Sequence, residues 1–134
     1  MRPFYENRLY NNELPVYANV TRGYSFLAHW HTEIEIVAVL KGRFHIGINN
    51  EEKTLTRGDL AVCTSGQIHF YKDDFRDSEI VTVIFHPKLI GFPDGWPNCQ
   101  DLSSPFILYD ERSKSFIDII QKAMLSLYDE IMQK

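Results

Sequence analysis

Between Val16 and Phe85 the chain is cut into short apolar runs by turn-forming residues, and no helix-period segment lies between those runs. Lys41-Gly42, Asn49-Asn50, Arg57-Gly58-Asp59 and Ser65-Gly66 each supply residues that tolerate the left-handed backbone of a tight turn. The runs alternate, as in Phe44-His45-Ile46-Gly47-Ile48, or carry β-branched clusters, as in Ile80-Val81-Thr82-Val83-Ile84-Phe85. Short strands at regular spacing, without helices to make parallel crossovers, predict an all-β sandwich or barrel. A chain of 134 residues can bury one such core and not two.

Beyond Phe85 the pattern changes. Gly91, Pro93, Gly95, Pro97 and Pro105 fall within a stretch that no regular element accommodates well, which predicts a connector over 88–112. Phe116, Ile119, Ile120, Ala123, Leu127 and Ile131 then follow helical spacing, with Ser113 or Ser115 as N-cap, so a C-terminal helix is expected over 113–134. Ile117, Met124, Tyr128 and Met132 widen its apolar stripe beyond one seam. Such a helix either sinks into a groove of its own barrel or packs one side on the barrel and another on a partner. The second reading is preferred, with Phe116, Ile120, Met124, Leu127, Tyr128 and Ile131 forming the association face of a homodimer. No Gly, Asn or Pro stop signal precedes Lys134, so the helix is expected to continue in a longer parent protein.

Charge narrows the function classes. The formal net charge of −4 and pI near 5.7 disfavour direct contact with a nucleic-acid backbone. The opening Met1-Arg2-Pro3-Phe4-Tyr5-Glu6 has no apolar signal region, and no stretch approaches the roughly 18 apolar residues of a membrane span. A cytoplasmic protein without membrane contact is expected. Cys63 and Cys99 are the only cysteines, too few for a disulfide framework, and both read as free thiols.

The sharpest chemical pattern is Gly23-x5-His29-Trp30-His31-x3-Glu35-x6-Gly42, followed by Gly58-x7-Gly66-x2-His69. In an extended segment His29 and His31 share a face, and a turn through Thr32-Glu33-Ile34 can return Glu35 beside them. His69 can close the set from a later strand. Three imidazoles and a carboxylate suit a divalent transition metal such as zinc, nickel, manganese or iron. The alternative is a polar interior satisfied without metal. Leaving such groups unpaired would cost about 1–3 kcal/mol each.

These residues resemble the cupin superfamily, whose first motif runs Gly-x5-His-x-His-x3 or 4-Glu-x6-Gly and is complete here. The second motif, Gly-x5-Pro-x-Gly-x2-His-x3-Asn, is met at Gly58, Gly66 and His69, with Thr64 in place of the proline and Asp73 in place of the asparagine. The resemblance implies a double-stranded β-helix, a jelly-roll-like barrel over 16–87 with a C-terminal helix, and His29, His31, Glu35 and His69 as metal ligands. The run His29-Trp30-His31-Thr32-Glu33-Ile34-Glu35-Ile36, the turns Leu40-Lys41-Gly42 and Thr56-Arg57-Gly58-Asp59-Leu60, and Ile68-His69 are similar to the N-terminal sensing domain of AraC-type transcription regulators. That likeness implies a small-metabolite effector such as a sugar, an N-terminal arm over 1–15, dimerisation through the helix, and DNA binding by a helix-turn-helix module outside this chain. In such sensors the histidine positions also occur as metal-free polar groups.

Phe26, Phe44, Tyr71 and Phe85 are the candidate apolar wall of the ligand pocket, and Arg43 and Gln67 its candidate hydrogen-bonding groups. His45 reads as solvated or edge-bound, and His86 as a strand end. A stand-alone metal-dependent cupin enzyme, such as a dioxygenase, isomerase or decarboxylase, is the rival reading.

Overall fold

The computed structural model describes residues 2–6, 16–23, 25–72, 76–91 and 104–133. Among them lie β1 (Phe4–Tyr5), β2 (Val16–Arg22), β3 (Phe26–Trp30), β4 (Ile34–Lys41), β5 (Arg43–Ile48), β6 (Glu51–Thr56), β7 (Leu60–Cys63), β8 (His69–Lys72), β9 (Glu79–Phe85), β10 (Phe106–Ile107) and α1 (Lys114–Met132). One five-stranded sheet has the order β1-β3-β8-β5-β6 and the other β10-β7-β4-β9-β2. All ladders are antiparallel except β1 with β3. The expected all-β cupin barrel with a C-terminal helix is therefore the architecture observed.

Alternation explains why the sheets close. Val37 and Val39 on β4, Phe44, Ile46 and Ile48 on β5, Leu55 on β6, Ala61 and Cys63 on β7, Tyr71 on β8 and Ile80 on β9 all turn inward and form one cluster between the sheets. Burying each of the larger aliphatic side chains contributes about 1.5–3 kcal/mol. Gly42, at φ 74°, makes the β4–β5 turn, where an added Cβ would stand 2.1 Å from the Asp77 carbonyl oxygen. Gly58, at φ 92°, leaves space that the Tyr109 ring fills.

A second cluster forms on the outer face of the β2 and β9 sheet. Val16, Ala18, Ala38, Leu60, Val81 and Val83 meet Ile117 and Met124 of α1. The helix is positioned through Asp59, whose carboxylate accepts from the Thr56 N–H at 2.9 Å and from the Tyr109 N–H at 2.8 Å. Ser113 stands at the N-cap without a side-chain cap bond, and its hydroxyl instead donates to the Leu108 carbonyl. Asp110 accepts from the N–H groups of Arg112 and Ser113 and so nucleates the first turn.

The structure departs from the expected structureless connector. A 3-10 turn spans Pro87–Ile90, with proline at its start and Gly91 in the left-handed conformation at its end. Phe106 and Ile107 then add β10 to β7, opposite Ala61 and Leu60. The Pro105 carbonyl accepts from the Val62 N–H at 2.8 Å, which extends the ladder by its acceptor side. Breakers thus bound two short elements here, while 92–103 and Cys99 lie outside the described residues. Among the described residues no helix is long and apolar enough to cross a membrane.

The assigned association face is also redistributed. Met124 is buried against the chain's own sheet, and Ile120, Leu127, Tyr128 and Ile131 are half-buried there. Phe116 is 52% exposed, and Ile119, which was not assigned to this face, is 69% exposed. The wide stripe has two sides, and the sequence pattern does not distinguish them.

Candidate metal centre

His29 on β3 and His69 on β8 face each other in register, so the antiparallel ladder alone brings two imidazoles together. Past Trp30 the chain bends at Thr32–Glu33 and re-enters the opposite sheet at Ile34, which delivers Glu35 to the same end of the barrel. His31 sits in that bend. Its carbonyl accepts from the Gly66 N–H at 2.8 Å and ties the bend to the turn leading into His69. All four side chains are buried, none more than 2% exposed, and their ligating atoms lie within 4.8 Å of one another.

The imidazoles are held by the main chain. His29 Nδ1 donates to the Leu27 carbonyl at 2.7 Å, His31 Nδ1 to the Glu33 carbonyl at 3.1 Å, and His69 Nδ1 to the Gln67 carbonyl at 3.1 Å. A carbonyl oxygen can only accept, so each ring carries its proton on Nδ1. The Nε2 lone pair of a neutral ring is then the free one. His31 Nε2 lies 3.2 Å from Glu35 Oε1, and His69 Nε2 lies 3.5 Å from Glu35 Oε2. Two lone-pair nitrogens opposite a carboxylate repel it unless a positive charge comes between them, either a further proton or a metal cation. Among the described residues Glu35 Oε2 and His69 Nε2 are moreover buried without a close hydrogen-bond partner, 3.5 Å from each other. Buried atoms in that condition are costly, and a cation shared among these four residues would satisfy both. The residues present fit a divalent metal.

Electrostatics tell the same story for the protonated alternative. Burial pushes the Glu35 carboxyl upward, but the His69 and His31 rings more than reverse this and hold it well below the usual carboxylate range. Burial pushes His69 down, yet Cys63 and Glu35 beside it carry it up to about 11. His29 is lowered, first by burial and then by His69. Without metal, then, the site holds one compensating proton on His69.

Beside the cluster is a cavity of about 40 Å³, enough for a few waters. Phe26 and Tyr71 line it, and Phe26 stacks on the His29 ring at 4.3 Å between centroids. Its remaining wall comes from Tyr17, Asn19 and Thr21 on β2 and Thr82 and Ile84 on β9, none of which the sequence reading selected. The signal was available: these are the alternate positions to the outward Val16, Ala18, Val20, Val81, Val83 and Phe85.

Four assigned pocket residues are elsewhere. Phe44 is fully buried in the barrel core, with its ring 5.2 Å from that of Tyr71 and no part in the cavity wall. Phe85 has the opposite parity to Ile84 and packs outward with the α1 cluster. Arg43 follows a turn and its exposed guanidinium pairs with Asp77 at 3.7 Å. The Gln67 side chain accepts from the Thr64 N–H at 2.8 Å, so it closes a turn, and only its main-chain carbonyl serves the site. His45 lies on the outer sheet face between Thr54 and Glu52, at 3.0 and 2.9 Å, and His86 caps the 3-10 turn.

The N-terminal segment touches the same end of the barrel. β1 pairs with β3 beside His29, the Glu6 N–H donates to the Trp30 carbonyl at 2.8 Å, and the Phe4 ring lies 5.7 Å from the His29 ring. Residues 7–15 of the expected arm lie outside the described residues.

Comparison with known proteins gives a consistent result. A family model for the cupin domain matches residues 16–85. An uncharacterised protein of Aquifex aeolicus is 32% identical over 68 residues, which cover 50% of this chain and 55% of that protein, so the match spans about half of the curated relative. A solved structure of a conserved Streptococcus pyogenes protein of unknown function covers 57% of this chain and 68% of its own, at TM-score 0.50 and 19% identity. A Bacillus subtilis oxalate decarboxylase structure covers 57% of this chain but only 22% of its own, at TM-score 0.49 and 21% identity.

Proposed function

The chain belongs to the cupin family, and from that premise we propose that it is the effector-sensing and dimerisation module of an AraC-type transcription regulator, working in the cytoplasm. Its His29, His31, Glu35 and His69 hold a divalent transition metal, and a small-molecule effector binds beside them. A bound metal would supply Lewis acidity and coordination positions open to oxygen ligands. DNA contact is assigned to a separate helix-turn-helix module, in keeping with the acidic balance of these residues.

One observation carries the sensing part of this reading. β2 and β9 present Tyr17, Asn19, Thr21, Thr82 and Ile84 to the cavity, while the alternate residues Val16, Ala18, Val81 and Val83 pack on α1. A ligand that spreads or draws together these two strands therefore acts on the helix across a single layer of backbone. It biases the helix only to the extent that it binds two arrangements unequally. Around the helix a second apolar groove is lined by Val83, Phe85, Leu89, Ile120, Ala123 and Leu127, and Phe116 and Ile119 are exposed on the same helix, which supports association through α1.

A thermal-shift screen of metabolites against the metal-loaded protein, followed by light scattering, tests this. A stabilising compound at a hundredfold excess over its Kd should add about 2.7 kcal/mol and change the association state or the accessibility of α1. Stabilisers that leave α1 and the mass unchanged would count against sensing. The small cavity favours a second reading, a metal-dependent cupin enzyme acting on a molecule of few heavy atoms. Turnover of a screened compound, rather than binding alone, would select it.

A further inference from the structure

We propose that Glu33 is a positioning residue of the metal centre: its carboxylate, set behind the His31 ring, cancels the residual positive charge of a bound divalent ion and so turns the site toward neutral oxygen ligands and against carboxylates. This rests on the metal-binding reading of the cluster and goes beyond it in naming a residue that sets the centre's charge and, with it, the class of ligand.

The placement comes from the bend between β3 and β4. Glu33 lies two residues past His31, and its main-chain carbonyl accepts from His31 Nδ1 at 3.1 Å while its side-chain Oε1 stands 3.8 Å from the same nitrogen. One residue thus presents two oxygens to the ring edge opposite the Nε2 that faces Glu35. The rings of His29 and His69 take their carbonyl acceptors from Leu27 and Gln67, whose side chains are uncharged. A glutamate in a bend ordinarily points to solvent, because burying its charge is costly. Glu33 is only 6% exposed, and its Oε1 is buried, whereas Thr32 beside it in the bend is half-buried.

Charge supplies the consequence. Three neutral imidazoles, the Glu35 carboxylate and a divalent cation sum to +1 inside the barrel, and an uncompensated buried charge is expensive. With the Glu33 carboxylate behind His31 the sum is zero, and a carboxylate on the far side of a ligating imidazole also makes that ring a stronger donor. The adjoining cavity offers nothing positive to an anion. Tyr17, Asn19, Thr21 and Thr82 line it with hydroxyl and amide groups, and every Lys and Arg among the described residues is exposed. Sites for carboxylates ordinarily supply an Arg or Lys. A carboxylate entering here would carry the buried sum to −1, whereas an alcohol, carbonyl or amide oxygen leaves it at zero and meets wall groups that both donate and accept.

The test titrates the full chain loaded with Co(II), read through its visible absorption bands, with acetate and with acetamide, which share a shape and differ in charge. The parent should bind acetate no more tightly than acetamide. Glu33→Gln, which keeps the shape and removes the charge, should tighten acetate by about tenfold, leave acetamide unchanged and weaken cobalt itself by about tenfold. Glu33→Asp should restore the parent's selectivity. A glutamate that merely holds the bend would move both ligands together, so the acetate-to-acetamide ratio separates the two roles. If Glu33→Gln does not fold, the parent's ratio decides, and a clear preference for acetate overturns the assignment. An unchanged ratio in a folded Glu33→Gln, or cobalt bands that neither compound perturbs in either protein, overturns it too and leaves the His29, His31, Glu35 and His69 centre standing. Failure to take up cobalt at all would overturn both.

Discussion

Along β2 and β9, neighbouring residues meet opposite environments. Asn19 and Thr82 pair across the ladder and face the cavity, while Ala18 and Val83, one step away, pair and face α1. The outer face is apolar, meets α1 and is made of residues whose work is stability. The inner face at the barrel mouth buries hydroxyl, amide, imidazole and carboxylate groups that cost stability unless something binds them. The two faces share one backbone, so their substitutions should separate cleanly in what they disturb.

The largest effect is expected on the outer face. Ile117 is fully buried against β2 and β9, and Ile117→Ala should lower stability by about 2–5 kcal/mol in urea unfolding while leaving metal content unchanged. Equal loss of metal would mean that the faces are not separable. Next is the proposed association through α1: Ile119→Glu, on a side chain 69% exposed, should leave folding intact and, if that proposal holds, weaken self-association by tenfold or more, about 1.4 kcal/mol, by sedimentation. An unchanged mass would place any interface elsewhere.

The inner face should respond to pH instead. His69 has its folded value raised to about 11, so its stabilising contribution in the metal-free protein is complete below the ordinary value of 6.5 and is lost as pH rises through about 11. Glu35 is depressed, so its contribution is present above about 4.3 and is lost as pH falls below that. Metal-free protein should therefore be most stable between these limits, and His69→Gln should flatten the alkaline limb. A parent and variant with identical pH profiles would contradict the charge assignment. The smallest effect is at Thr21, whose buried hydroxyl has no hydrogen-bond partner among the described residues. Thr21→Val should be neutral or stabilising by up to about 1 kcal/mol and should weaken any ligand of the cavity. A clear destabilisation would show that the hydroxyl is satisfied in solution.

The same two faces explain what could be read from the chain. Alternation and turn residues reveal strands, and His29-x-His31 with Glu35 four residues later places chemistry on one face whatever the global register. Alternation does not say which face is inside when both are covered. On β9 that ambiguity put Phe85 in the pocket, whereas Thr82 and Ile84 hold the inward parity. Nearness in sequence to the metal-binding motifs does not place Arg43 and Gln67 at the site, because a turn directs each of them away, to Asp77 and Thr64. The two-residue β10 lies below any periodic signal. It exists because β7 offers a free edge and Pro105 can still accept.

The central claim is that the buried imidazoles and carboxylate form a metal centre. Elemental analysis of protein purified without chelator, alongside His31→Ala and Glu35→Gln, measures this directly. About one equivalent of transition metal per chain in the parent, falling to near zero in both variants with the fold retained, is the expected result. A folded parent that carries no metal and takes up neither zinc nor cobalt would contradict it.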